Sequence, residues 1–411
     1  MDDSLRDGAF ATLRREAPIK FFHEVEFEGI EPGPGHWALT KLDDVFYASR
    51  HPEIFSSYPN ITIGDQIPEV AEYFGSMIAL DDPRHARLRN IVRSAFTPPK
   101  VVARTEESVR ERAQQLVSAM IANHPDGNAE LVTELSGPLP LQVICDMMGI
   151  PPEEDHDRIF HWTNIILGFG DPDLTTDFDE FLKVAFDIGA YATALAEDRR
   201  VNPPRDDLTT SLVAAEVDGE RLTSAEIASF FILLAVAGNE TTRNAISHGV
   251  LALTRYPEQR EIWWNDFESV KDTAVEEVVR WASPVIYMRR TVTRDIELSG
   301  GVKMAEGDKV TMWYASANRD EDKFANRGSS TSPARPTITS GSVAAVRTSA
   351  WAPTWPAVRS PSSSPNCTAA CPTSRSPKSR RCCCRRSSMA SSGCRSAGRR
   401  PDVVARTAQH S

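Results

Sequence analysis

The chain has 411 residues, 46 Lys+Arg against 57 Asp+Glu for a net charge of −11, and 41% hydrophobic residues. Such a length buries a large core, as one big domain or as two. Seven cysteines in so long a chain exclude a small disulfide-held scaffold, and the longest apolar run, residues 230–238, is too short to cross a bilayer.

In chain order the body reads mainly as helix. The start, Met1-Asp2-Asp3, is acidic and polar, unlike a signal peptide, so a cytoplasmic protein without a transmembrane segment is expected. Residues 35–39 suit a short strand and 42–50 a helix. Asp82 before Pro83 sets a capping acid ahead of a first-turn proline, predicting a helix over 83–96 that Pro98-Pro99 ends. Helical patterning resumes over 104–121, 139–148, 158–168 and 178–199. Thr223 and Glu226 have capping-box spacing and should open a long helix running to about Arg255. Another helix covers 270–281, stopped by Pro284. Between Arg290 and Met312, β-branched residues alternate with the turn signals Ser299-Gly300-Gly301 and Glu306-Gly307-Asp308, predicting short hairpin strands. No internal repeat is visible.

The net charge hides a break. Up to Asn326 there are 32 Lys+Arg and 56 Asp+Glu, a net of −24; from Arg327 there are 14 basic residues and one acid, Asp402, a net of +13. Cysteine divides the same way. Cys145 is alone in the body, within an apolar run that suits a small buried thiol, and Cys367, Cys371, Cys382, Cys383, Cys384 and Cys394 follow the break.

Translation out of frame explains the break. Tryptophan has a single codon, so the bases at Trp351 and Trp355 are known. Taking the last base of each codon with the first two of the next, Trp351-Ala352 hides a forced glycine and Trp355-Pro356 a forced alanine. From Gly341 to Arg359 the hidden codons permit FGGGGAHFCLGANLARRE. The slip can be set near Asn326 and Arg327. Residues 1–326 then form the body, and 327–411 are expected to be a frameshifted, irregular tail.

The chemistry-bearing residues of the body are few. AGNETT, residues 237–242, lies mid-helix, where a glycine costs about 1 kcal/mol relative to alanine. Ala237 and Gly238 leave room for something flat, the Thr241 hydroxyl can reach the Ala237 carbonyl and open the helix locally, and Glu240 sets an acid beside it. The bland alternative is a packing glycine in an ordinary buried helix. Glu277 and Arg280 are one turn apart and can pair, though a surface pair there would be worth little. His85 and Arg89 share a helix side, and with Arg290 could hold two carboxylates.

In order and spacing these residues, with Ala317-Asn318-Arg319-Asp320, resemble the cytochrome P450 family, and the hidden string resembles its haem-ligand loop, F-x-x-G-x-H/R-x-C-x-G. Its cysteine lies beneath Ser349 and Ala350, outside the reading frame. The resemblance covers roughly residues 10–326. It implies a mainly α fold with small β regions, here lacking the ligand-loop portion. It implies haem b as cofactor, Glu240 and Thr241 as the acid–alcohol pair that relays protons, His85, Arg89 and Arg290 as propionate ligands, Ala237 and Gly238 at the cofactor, and Glu277–Arg280 as a structural pair; no metal ligand remains.

The wording of AVAGNETTRNAISHGVLAL and RWASPVIYMRRTVT is similar to actinobacterial hydroxylases of methyl-branched lipids. That implies a monooxygenase acting on an apolar lipid, a branched fatty chain or sterol side chain, with molecular oxygen and a ferredoxin-type redox partner, inactive without its thiolate. Two other readings are a haem-free helical protein that still binds lipid, and a basic tail that binds nucleic acid or anionic membrane. The tail lacks metal-ligand spacing, and interleaved aromatics beyond its two tryptophans, so no nucleic-acid partner is expected.

Overall fold

The computed structural model describes residues 3–24, 32–65, 68–96, 99–168 and 177–324. The expectation of an irregular tail over 327–411 lies outside the described residues.

The longest element, α10 (Ser224–Arg255), organises the fold. Its start is fixed locally: the Thr223 hydroxyl accepts from the Glu226 N–H (3.1 Å), and the Glu226 carboxylate accepts from the Thr223 N–H (2.8 Å). The box satisfies two amides that a helix start otherwise leaves unpaired. From Ile227 to Ala235 every residue of α10 is buried, as expected of a helix apolar on all sides. Around it pack α3 (Pro68–Gly75), α6 (Pro138–Met148), α8 (Phe178–Val201) and α12 (Phe267–Ala282), with α4 (Arg84–Phe96), α5 (Pro99–Asn123), α7 (Pro152–Leu167), α9 (Leu208–Ala214) and α11 (Pro257–Asn265) filling the outer layer. A π turn over Val132–Ser136 leads into α6.

A second core lies under a five-stranded sheet ordered β1-β2-β9-β6-β3, made of β1 (Ile19–Phe22), β2 (His36–Leu39), β3 (Phe55–Ser56), β6 (Met288–Val292) and β9 (Lys309–Met312). β2 and β9 run parallel, with Leu39 opposite Met312, and the other neighbours are antiparallel. Helices α1 (Asp3–Glu16), α2 (Leu42–Arg50) and α13 (Tyr314–Ala317) flank it. Two small hairpins, β4 (Glu216–Val217) with β5 (Glu220–Arg221) and β7 (Ile296–Glu297) with β8 (Lys303–Met304), complete the described strands.

The expected helices over 42–50, 83–96, 139–148 and 178–199 and the expected strands between 290 and 312 are present within a few residues. Several details differ. Helix α5 begins at Pro99, five residues before its expected start, because a proline at the first helical position loses no hydrogen bond. Helix α7 reaches back to Pro152, whose acidic first turn has no apolar period to reveal it. Helices α1, α3, α9 and α11 were not expected. Helix α9 is held at its start by Asp207, whose carboxylate accepts from the Thr210 N–H (2.7 Å).

Candidate functional site

The middle of α10 carries the first group of site residues. The Thr241 hydroxyl donates to the Ala237 carbonyl at 2.7 Å, the bond its spacing predicts. The expected local opening does not follow: α10 is continuous from Ser224 to Arg255, the hydroxyl bond being accommodated within the helix. Gly238 faces α6. A Cβ added there would lie 3.2 Å from Ile144 Cδ1 and 3.7 Å from Leu234 Cδ1, so its missing side chain admits the neighbouring helix.

Glu240 is tethered within its own helix. One carboxylate oxygen accepts from Asn244 Nδ2 (3.0 Å) and the other pairs with Arg243 Nη1 (3.1 Å). Arg243 in turn reaches α7: its Nη2 donates to Asn164 Oδ1 (3.0 Å) and its guanidinium lies 5.2 Å from the Phe160 ring centre. The buried Asn239 amide, turned to satisfy both partners, donates to the Gly137 carbonyl (3.2 Å) and accepts from Arg243 Nη2 (3.2 Å). Arg243 and Asn239 were not read from the sequence. The (i, i+3) spacing of Glu240 and Arg243 was the available signal.

The cationic group is split between two elements. On α4, His85 and Arg89 line an open cavity of about 280 Å³ with Asp82, Ala86, Asn90 and Arg93. His85 Nδ1 stands 2.8 Å from the Met77 carbonyl, which orients the ring and leaves Nε2 for another partner. On β6, Arg290 is 8% exposed, and its Nη1 donates to the Arg289 carbonyl (3.0 Å). Burial pushes its pKa down, with the charges of Tyr314 and Asp81 acting the other way. No carboxylate pairs with Arg290 among the described residues. A buried guanidinium so placed is costly unless an anion neutralises it. The position therefore suits an acidic group of a bound cofactor, as do His85 and Arg89 beside their cavity. No bond links Arg290 to His85 or Arg89.

Glu277 and Arg280 form a buried bidentate pair. Nε donates to one oxygen (2.8 Å) and Nη2 to the other (2.6 Å), at side-chain exposures of 14% and 5%. Arg280 Nη1 donates to the Asn318 carbonyl (2.5 Å), and the guanidinium sits 4.8 Å from the Phe324 ring centre. Asn318 belongs to the run 317–320, which ties several elements together. Asp320 accepts from the Leu42 N–H at the start of α2 (2.9 Å), and Arg319 pairs with Asp7 of α1 (3.0 Å). This is more than the surface pair that spacing alone allows.

A sulfur ligand is not supplied by the described part of the chain. Cys145 is fully buried in the core of α6, and burial with the nearby Asp146 and Asp155 charges pushes its thiol up to about 12. It is a thiol, not a thiolate, at neutral pH. Among the described residues no cluster of His, Cys, Asp and Glu could hold a metal ion, and no helix is long and apolar enough to cross a membrane.

Three comparisons bear on this arrangement. The cytochrome P450 family model matches residues 37–337. The methyl-branched lipid omega-hydroxylase of Mycobacterium tuberculosis is 76% identical over 326 residues, 79% of this chain and 75% of that protein. The steroid C26-monooxygenase of the same species is 40% identical over 330 residues, 77% of this chain and 71% of that one. Among solved structures, a Mycobacterium marinum cytochrome P450 in complex with pseudoionone superposes with a TM-score of 0.75 at 38% identity, covering 83% of this chain and 81% of the other.

Proposed function

Because the chain belongs to the cytochrome P450 family of haem-dependent monooxygenases, we propose that its body is the scaffold of a hydroxylase for a methyl-branched lipid, and that the chain as it stands is inactive for want of the cysteine ligand. One observation carries this. The 76% identity to a methyl-branched lipid omega-hydroxylase extends over 326 residues, the same length as the stretch ahead of Arg327, where charge and cysteine content change abruptly. A sterol side chain is the neighbouring substrate class, in keeping with the 40% identity to steroid C26-monooxygenases.

Haem, when bound, would supply the activation of molecular oxygen. The residues of this chain have distinct tasks around it. Arg290, His85 and Arg89 neutralise the two propionates, answering the charge that Arg290 otherwise buries alone. Ala237 keeps its part of α10 free of bulk, while Gly238 lets α6 pack close. Thr241 spends its proton on the Ala237 carbonyl, which leaves its oxygen lone pairs ready to accept. Glu240, the residue before Thr241 and 31% exposed at its side chain, is the acid that exchanges protons with solvent. Glu277 and Arg280 hold α12 to the run 317–320. Electrons come from a ferredoxin-type partner in the cytoplasm.

Cys145 would not serve as the sulfur ligand of haem, since it is buried as a thiol within the α6 core. Resequencing the gene at the codon for Arg327 tests the reading. An additional base there restores the ligand loop and an intact enzyme. If the present frame is confirmed, purified protein supplied with haem is expected to lack the thiolate-type reduced-CO band. A normal band from the confirmed frame refutes the assigned defect.

A further inference from the structure

The cationic group that suits an acidic cofactor arrives from two directions, so its halves must be set at a fixed distance. His85 and Arg89 stand on α4 and Arg290 on β6, and among the described residues no bond joins the two sides. One residue touches both. Asp81 lies three residues ahead of α4, and all three of its oxygens are engaged. Its carbonyl accepts from the His85 N–H (2.9 Å), which ties it to the entry of that helix. Its Oδ1 accepts from the Ser57 N–H (2.8 Å) and its Oδ2 from the Ser56 hydroxyl.

Ser56 belongs to β3, where it is paired with Thr291 of β6, the neighbour of Arg290. The clasp therefore runs from the start of α4, through Asp81, to the strand edge beside Arg290. A loop carboxylate that met only water would need none of these contacts. Ser56 is 8% exposed, and a hydrogen bond to a charged acceptor in so sheltered a place is among the stronger ones.

The charge of Asp81 has the wrong sign for the group it serves. It favours the proton of the Arg290 guanidinium, yet among the described residues no ion pair joins the two, so Arg290 stays open to another anion. The same negative charge repels any acidic ligand that enters. Position, and not charge, is what Asp81 contributes. We propose that Asp81 is the positioning residue that sets the α4 and β6 halves of the cationic group so that one rigid diacid spans both. The identity of that diacid as haem, through its two propionates, rests on the function proposed above.

Iron-free protoporphyrin IX and its dimethyl ester test this on the full chain, because neither needs a sulfur ligand. Both are titrated from the same dilute detergent, and quenching of tryptophan fluorescence reads the dissociation constants. The parent is expected to hold the diacid more tightly than the ester. Asp81→Ala should weaken the diacid about tenfold, the effect of one misplaced charge-assisted contact, and leave the ester unchanged. Asp81→Asn can still accept from Ser57 and share a hydrogen bond with Ser56, so it should keep the parent's preference. A residue that only stabilised the fold would shift both porphyrins alike, and one that acted by charge would tighten the diacid in both variants. Either result overturns the inference. If Asp81→Ala loses its far-ultraviolet spectrum, Ser56→Ala, which removes the Oδ2 partner, replaces it with the same expectation. Arg290→Met separates Asp81 from the site it serves. If Arg290→Met abolishes the preference and Asp81→Ala does not, the role of Asp81 fails and the propionate site stands. If Arg290→Met keeps the preference, or the parent has none, the site itself fails and Asp81 with it.

Discussion

Neutralising the acid of the Glu277–Arg280 pair should cost the fold more than any single surface change. Glu277→Gln leaves Arg280 charged at 5% side-chain exposure with no countercharge, facing one amide oxygen and one N–H donor where two carboxylate oxygens accepted, and the Asn318 carbonyl. Breaking a buried pair from one side costs about 3–5 kcal/mol. The 14% exposure of Glu277 admits some water to the site, which favours the lower end, about 3 kcal/mol. Arg280→Met removes the charge and the donor to Asn318 together, and a hydrogen bond from a charged group contributes about 1.5–3 kcal/mol. It should cost about 3 kcal/mol as well. The two changes act on one network, so the double variant should lose about 4 kcal/mol, a coupling of roughly 2 kcal/mol. Urea unfolding followed by far-ultraviolet circular dichroism at neutral pH measures all three. Additivity to within about 0.5 kcal/mol would refute the reasoning, because independent costs mean the pair is not a unit.

Two further outcomes follow from packing and charge. Gly249→Ala should destabilise by about 1–2 kcal/mol, since its new Cβ would lie 3.1 Å from Cγ1 of Val278, a side chain stiff at its first torsion. Gly238→Ala meets only the end of Ile144 at 3.2 Å and should be near neutral in melting temperature; the reverse order would contradict the packing described. Asp146 has its pKa held down although burial alone would raise it, because Arg112 and Ser108 donate to its carboxylate. A depressed carboxylate stabilises the fold above its unfolded pKa, and the benefit is lost as pH falls through the lower folded value. Arg112→Met should therefore narrow the stability difference between neutral pH and pH below the usual aspartate range, near 4. A variant whose urea midpoint keeps the parent's acid dependence would sink that claim.

What could be read from the sequence was mostly what lies close along it. The capping box of α10, the Thr241 bond to Ala237 and the Glu277–Arg280 pair all span three or four residues, and periodicity alone places such partners. Short polar helices escaped because they carry too few apolar positions to show a period; α9 rests on one cap, and α11 opens on Pro257. Charges joined across the whole chain were invisible. Lys309 is buried at 3% side-chain exposure between Glu24 (2.5 Å) and Asp65 (2.7 Å), and Arg289 reaches the same Asp65 (2.7 Å). Nothing local links positions so far apart. The split of the cationic group was hidden for the same reason: His85 and Arg89 share a helix, but Arg290 arrives on a strand from the other end of the body.

The parallel ladder between β2 and β9 has a temporal consequence. Its partners are Trp37 with Val310 and Leu39 with Met312, so the two ends of the body meet side by side. During synthesis the early strands wait until nearly all of the body has left the ribosome, and such distant pairing is slow to form. Without β9, both β2 and β6 would lose a neighbour. The change near Arg327 comes after the ladder is complete, so the nascent chain can still close its sheet.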